Sequence, residues 1–412
     1  MKVVHLNNAD KSGGAAIAAY RIHTSLLERQ LNSRMWVNFA ESGDWTVKGP
    51  TSKFRKAFAK VRRHLIAPAL GIMQTNNKIL HSPNIFSSSW SNQINKSDVD
   101  IAHLHWVGAE MASIKDIGGF KKPVVWTLHD MWAFCGAEHV SWDNRWQDGY
   151  TRKNRPSNLK GLDLNRWTWN RKIKYWKQPF YIVAVSNWLA ECAQNSALMK
   201  NWPVKVIPNC LDTNKWRPVD KVYARELLGL PKDDQIIAFG TYGANSEFHK
   251  GFDLLVEALG YLKEHNKDSL LAIFGQSTPE KSTNFGFDTR FMGHFNDEIS
   301  LRLFYSAVDL LVVPSRMESF GQTATESMAC GTPVVAFGAT GLLDIVDHKV
   351  NGYLAKPFES EDLARGIDYI LNSSNYNELS KNSREKVVTK FDSVIVAEQY
   401  EQLYNDVLKC QH

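Results

Sequence analysis

Two carboxylates eight residues apart, Glu318 and Glu326, mark the segment of this 412-residue chain best suited to chemistry. The pattern around them predicts an apolar strand at 309–313 and a loop carrying Glu318. A short helix opened by Ser319-Phe320-Gly321 comes next, then a Gly331-Thr332-Pro333 stop and a second apolar strand. Glu318 then sits just past the carboxyl end of a strand, where open α/β sheets bind ligands. Glu326 falls inside the helix. The backbone N–H groups of Ser319, Phe320 and Gly321 form the open, partly positive end of that helix, which suits polar or anionic groups. Such a set suits a polyhydroxylated, phosphorylated molecule. The competing reading is an ordinary βαβ unit with two chance carboxylates.

Other groups fall at comparable places. Lys250, in His249-Lys250-Gly251-Phe252-Asp253, precedes a helix start, so a cation and helix amides can face one diphosphate. It is otherwise a solvated loop lysine. His129 closes the apolar strand 124–128, where it can hydrogen-bond a hydroxyl or shuttle a proton; alternatively Asp130 caps it structurally. His103 and His105, alternating on another strand, are expected to pack. Gly13 and Gly14 permit close backbone approach in the first strand–helix loop. His129, Cys135 and His139 fit no zinc spacing and lack a fourth ligand. Asp98-Val99-Asp100 precedes its strand and is expected to be a turn, so no metal site is assigned. No GxGxxG or Walker A fingerprint occurs.

The elements that must position these groups alternate as strand and helix. A strand at 2–6 leads into an Ala-rich helix at 15–27, with strands at 101–104, 124–128, 181–185 and 204–207. A second α/β series begins at 236–240 and continues through a helix at 252–262 and a strand at 270–274. The length exceeds what one core usually supports, so the fold class is α/β with two doubly wound Rossmann-like domains and a cleft between them. The domains are placed at 1–210 and 211–393. The C-terminal helix puts Val396, Tyr400, Leu403, Tyr404 and Val407 on one face.

Hydrophobic content of 43% with 22% charged residues is that of a soluble globular protein. Five scattered cysteines argue for a reducing compartment. A start directly in a strand and no long apolar stretch lead to the expectation of a cytoplasmic protein, free or peripheral on the inner membrane. The net charge of +6 is uneven: segments 51–80 and 151–180 together carry +15, leaving −9 for the rest. This implies a negatively charged partner. In 51–70, cations alternate with Phe54, Ala57, Phe58, Val61 and Leu65 at helical steps, the pattern of an interfacial helix on anionic lipid or of a helix packed on its own domain.

The segment from Val312 to Phe337, with its Glu-x7-Glu spacing and Ala-Cys-Gly-Thr-Pro-Val-Val-Ala flank, resembles family 4 glycosyltransferases of the GT-B fold. Similarity extends over the whole chain and is strongest from Gly240 to Pro357. The resemblance implies a metal-independent, retaining transferase with no cofactor, taking a nucleotide diphosphate sugar as donor and a saccharide as acceptor. It implies Glu318 on the donor sugar, the Ser319-Phe320-Gly321 amides on its hydroxyls, Glu326 on the ribose and Lys250 on the phosphates. It also places His129 near the transferred sugar, Gly13 and Gly14 beside diphosphate and acceptor, and the helix 394–412 back on the first domain. Many relatives add an arginine shortly after the first strand of the second domain. Here that stretch holds Thr241, leaving Lys250 as main cation with Arg316 to compensate. The His-Asp-Met-Trp and Pro-Ser-Arg-Met-Glu-Ser-Phe-Gly-Gln-Thr stretches look closest to bacterial enzymes of O-antigen, capsule or colanic acid synthesis. A lipid-linked oligosaccharide acceptor and an anionic inner-leaflet contact through 51–70 follow. Alternatives are a sugar phosphorylase or synthase on the same fold, or a nucleic-acid-binding protein using Arg166-Trp167-Thr168-Trp169-Asn170-Arg171-Lys172. The Glu-x7-Glu segment has no purpose in the last, so no nucleic acid is expected.

Overall fold

The computed structural model of the chain describes residues 1–75, 77, 79–240, 248–262, 269–278 and 284–410. Two compact units emerge: residues 1–210 with the chain from Val396 onward, and Leu211–Ile395. Thr241 lies outside the described residues.

In the first unit the strands are β1 (Lys2–Ala9), β2 (Asn32–Phe39), β3 (Val47–Lys48), β4 (Met73–Gln74), β5 (Ile101–Leu104), β6 (Val124–Leu128), β7 (Lys160–Gly161), β8 (Tyr181–Ala184) and β9 (Val204–Val206). Seven of them form a sheet in the order β3-β2-β1-β5-β6-β8-β9, and β4 pairs antiparallel with β7. The sheet ladders are parallel. Parallel strands covered on both faces read as continuous apolar runs, which is why β5, β6 and β8 are legible in the sequence. Strand β2 (Asn-Ser-Arg-Met-Trp-Val-Asn-Phe) was not expected. It mixes polar and apolar residues because several of its side chains are only half-buried.

The helix Ser393–Lys409 docks on this first sheet. Val396, Tyr400, Leu403, Tyr404 and Val407 share a core with Val3, Ile101, Val125 and Val183. Its two buried tyrosines bond rather than strand their hydroxyls, Tyr404 with His103 at 2.7 Å and Tyr400 with Thr127 at 3.0 Å.

The second unit contains β10 (Ile236–Gly240), β11 (Leu270–Phe274), β12 (Asp288–Gly293), β13 (Leu310–Val313), β14 (Val334–Phe337) and β15 (Gly352–Ala355). They form a parallel sheet in the order β12-β11-β10-β13-β14-β15. The direction of winding reverses between β10 and β13, the point at which open sheets leave a crevice beyond the strands' carboxyl ends. In the first unit the reversal falls between β1 and β5. Strands β12 and β15 were not expected; β12 is largely half-exposed, and β15 is only four residues long.

The two basic segments divide on folding. In helix Lys53–Leu65 the residues Lys53, Lys56 and Lys60 are exposed, as are Val61 and Leu65. Arg62 instead turns inward, buried with its guanidinium 5.9 Å from the Phe58 ring centre, so it is not one of the outward cations the sequence implied. In helix Leu164–Tyr175, Lys172 is buried with its ammonium donating to the carbonyls of Trp132, Cys135 and Gly136. Arg171 bonds the carbonyls of Pro83 and Asn84. Those two cations hold the first unit together, which removes them from the basic-aromatic surface considered for nucleic acid.

Candidate functional site

The loops after β10 and β13 meet at the switch point of the second sheet. A single turn, Phe248–Lys250, precedes Gly251 and the helix Phe252–Leu262. Gly251 has φ +68°, and a Cβ there would lie 1.9 Å from the Pro314 carbonyl oxygen. Only glycine allows this approach. It brings the loops close enough for the Arg316 N–H to donate to the His249 carbonyl at 2.8 Å.

Lys250 and Glu318 thereby become neighbours. The Lys250 Nζ donates to Glu318 Oε2 at 2.7 Å, and the Ser315 hydroxyl donates to the same oxygen at 3.3 Å. The Glu318 backbone is also held, its N–H on Thr340 Oγ1 at 3.1 Å and its carbonyl accepting from Gly341 N at 2.8 Å. Arg316 is engaged differently. Its guanidinium forms a two-pronged pair with Asp253, both bonds 2.7 Å, donates to the Phe248 carbonyl and stacks on the Phe248 ring. It fastens the two loops to each other and holds the Asp253 carboxyl below the usual range.

Beyond Glu318, Gly321 caps the helix Gln322–Ala329 in a left-handed conformation, φ +116°. No side chain among the described residues caps that end, so its first amides keep their positive character for a ligand. Ser319 is half-buried, and Phe320 is buried edge-on against Phe391. Glu326 lies one turn into the helix and is only 5% exposed, with the Tyr305 hydroxyl 3.5 Å from its Oε2.

In the first unit, Gly13 (φ +93°) precedes helix Gly14–Glu28, and a Cβ at Gly13 would meet open space. Asp10, buried before this loop, accepts from the N–H groups of Glu41 and Ser42 and ties the loop after β2 to the loop after β1. Sequence reasoning passed over Asp10, although a buried aspartate between a strand and a glycine loop is a usable sign.

His129 ends β6 beside a small crevice lined by Trp106, Asp130 and His139. Asp130 does not cap it. The Asp130 carboxylate takes His139 Nδ1 at 2.6 Å, Trp106 Nε1 at 2.8 Å and Trp132 N at 2.9 Å. Burial would raise the Asp130 carboxyl, but His139 and these bonds hold it below the usual range. His129 Nε2 bonds His105 Nδ1 at 3.1 Å, and His105 Nε2 in turn bonds His5 Nδ1 at 2.9 Å. Packing lowers His129 to about 4, with Asp130 opposing. The partnership of His105 with His129 was missed because side-chain alternation along a strand does not show which rings meet across strands.

The two aspartates weighed for metal sit with Lys2. Asp98 pairs with the Lys2 ammonium, and Asp100 accepts from Lys2 N at 2.7 Å, both at the amino end of the sheet. Cys135 is buried, its thiol pushed well up by desolvation.

Residues 12–215 match the family described as Glycosyltransferase Family 4, and residues 225–386 match Glycosyl transferases group 1. Each unit carries a glycosyltransferase family domain. An uncharacterized glycosyltransferase of Methanocaldococcus jannaschii is 30% identical over 175 residues, 41% of this chain and 44% of that protein. The capsular polysaccharide biosynthesis glycosyltransferase CapM of Staphylococcus aureus is 27% identical over 39% of this chain and 44% of its own. The match thus spans less than half the length of these curated relatives. Among solved structures, HepE of Anabaena in complex with UDP-glucose superposes with a TM-score of 0.65 at 19% identity, covering 98% of this chain and 100% of its own. That likeness places the two glycosyltransferase domains in the GT-B fold.

Proposed function

We propose that this glycosyltransferase moves a sugar from a nucleotide diphosphate sugar to an acceptor hydroxyl, with retention at the anomeric carbon and without a metal. The observation that carries the reading is the Lys250–Glu318 pair at the switch point of the second sheet, beside the uncapped helix end at Gly321. Bond cleavage puts charge on a departing diphosphate, and preorganised positive charge is the largest contribution a protein can make to such a step. Lys250 and the amides of the helix that Gly321 opens supply it. When the phosphates take Lys250, Glu318 is released to bind a hydroxyl of the sugar, and Glu326 is assigned to the ribose. The Arg316–Asp253 pair makes Arg316 a brace for this geometry rather than its second cation. Binding of UDP-glucose by HepE supports a nucleotide sugar donor.

The acceptor is proposed to be a lipid-linked saccharide of a bacterial surface polysaccharide, a reading supported by the likeness to CapM. No helix among the described residues is long and apolar enough to cross a membrane. Access to such an acceptor is proposed to be by peripheral contact, for which the exposed lysines of helix Lys53–Leu65 are suited. Incubating purified protein with a panel of nucleotide sugars, and following nucleoside diphosphate release, tests the proposal. Release from at least one donor, stimulated by a saccharide acceptor, is expected. Phosphate-dependent turnover of a sugar without nucleotide would replace it with a phosphorylase.

A further inference from the structure

We infer that His5 and His105 are positioning residues that hold His129 in the tautomer protonated on Nδ1, so that His129 meets a ligand oxygen as a hydrogen-bond donor and not as a base. The argument is a count of protons along three rings. His5 Nδ1 bonds His105 Nε2 at 2.9 Å, and His105 Nδ1 bonds His129 Nε2 at 3.1 Å. Each of these contacts holds one proton, since two would clash and none would leave lone pairs opposed.

All three rings are neutral. Desolvation lowers His5 and His105 well below the ordinary range and His129 to about 4. Asp130, the carboxylate nearest His129 in sequence, spends its bonds on His139, Trp106 and Trp132. Three neutral imidazoles carry three protons, and two lie in the contacts. The third sits at one end of the chain, on His5 Nε2 or on His129 Nδ1. One proton per ring then forces all three rings into the same tautomer.

The ends are unequal. His5 is fully buried, and its Nε2 has no hydrogen-bond partner among the described residues. A proton there would be a donor stripped of water with no acceptor, and orphaned buried N–H groups are rarer than under-used acceptors. His129 is only partly buried and borders a crevice. The proton therefore resides on His129 Nδ1. For His129 to act as a base, every proton in the chain must shift by one place and leave the orphan donor on His5.

A metal reading of the same rings is weaker. Nitrogens of His5, His103 and His105 lie within 4.8 Å of one another. Yet His103 is bonded through both nitrogens, to Tyr404 Oη and Thr127 Oγ1, each at 2.7 Å, so an ion would have to break bonds already made.

The role of His129 in sugar transfer rests on the function proposed above, whereas its tautomer does not. Long-range ¹H–¹⁵N correlation spectra of the ¹⁵N-histidine-labelled full chain at neutral pH test the tautomer directly, with His129 assigned through His129→Gln. The expected pattern is one tautomer, with Nδ1 at the protonated shift and Nε2 at the bare shift. A proton on Nε2, or on both nitrogens, would overturn the inference from the wild-type spectrum alone. His105→Phe removes the chain's hold, and His129 should then populate both tautomers; persistence of Nδ1–H alone would show that the chain does not set it. These spectra need no substrate, so a donor panel without turnover would sink the functional reading and leave the tautomer standing.

Discussion

Lys250 Nζ rests 2.7 Å from Glu318 Oε2 across 68 residues of sequence, each group on the loop that follows one of two adjacent strands at the sheet's reversal. The Lys250 side chain is 40% exposed. Pairs that open to solvent contribute about 0–1 kcal/mol. The pair can therefore open at little cost, as the donor-binding role proposed for Lys250 and Glu318 requires.

Glu318→Gln should lose roughly 10²–10³ in transfer rate, the usual cost of one preorganised polar contact. Nucleoside diphosphate affinity should hold or rise, because the lysine no longer has a carboxylate to leave. Turnover and calorimetric binding measured on the same preparation check both halves. Wild-type turnover in this variant would remove Glu318 from the site.

Lys250→Ala should weaken nucleoside diphosphate binding and slow transfer together, since charge on the leaving phosphates grows as the bond breaks. Activity of the unaltered enzyme should persist in chelator if this cation does the work of a metal. Undiminished diphosphate affinity in the variant would assign the phosphates to another group.

Gly251→Ala tests the hinge between the loops. A left-handed conformation costs a non-glycine residue about 1–3 kcal/mol, and the added carbon would fall 1.9 Å from the Pro314 carbonyl oxygen. The expected result is lower stability of the second unit with a displaced Lys250 and lost transfer. A variant that melts and turns over like wild type would show that the loops tolerate separation.

Much of this candidate site was legible because its marks are local. A strand end, an acidic loop and a glycine-opened helix occur within twenty residues, so Glu318, Gly321 and Glu326 could be found together. Lys250 was legible from the helix that follows it. The destination of Arg316 was not, because Asp253 lies 63 residues away and either a phosphate or a carboxylate satisfies a guanidinium. The histidine chain was hidden for a related reason. The sequence showed alternation on one strand, while the bonds from His5 to His105 to His129 run across β1, β5 and β6. Strands β2 and β12 escaped because many of their residues stay half-exposed and carry no continuous apolar run.

Acid should unfold the first unit before the second. Burial lowers His23 from 6.5 to about 4 and depresses His5, His103 and His105 as well. A folded state with depressed histidine pKa values stays neutral while the unfolded chain takes up protons. Stability is therefore full above about pH 6.5 and is lost as pH falls toward the folded values. His23 alone accounts for on the order of 3 kcal/mol by pH 4, at about 1.4 kcal/mol per unit. These histidines all lie in the first unit. Urea melts between pH 7.5 and 4.5 should show an early transition moving to lower urea, assigned to the first unit by its tryptophans. Midpoints independent of pH would contradict the neutral buried histidines.

The last expectation concerns lipid. Helix Lys53–Leu65 buries Ala59 and Arg62 against its own unit and leaves Val61 48% and Leu65 53% exposed beside Lys53, Lys56 and Lys60. Two exposed aliphatic side chains one turn apart, flanked by cations, suit the boundary of an anionic bilayer. Each lysine near such a surface is worth about 1 kcal/mol, so three give an attraction that ordinary salt can reverse. Arg62 is inside, so among the described side chains of this helix the exposed cations are the three lysines. Reversing all three, as Lys53→Glu, Lys56→Glu and Lys60→Glu together, should abolish sedimentation with anionic vesicles, while transfer to a soluble acceptor continues. Binding by the unaltered chain should need anionic lipid and fall as salt rises. Equal sedimentation of the triple variant would move the lipid contact to another surface, and failure of the unaltered chain to bind would remove it.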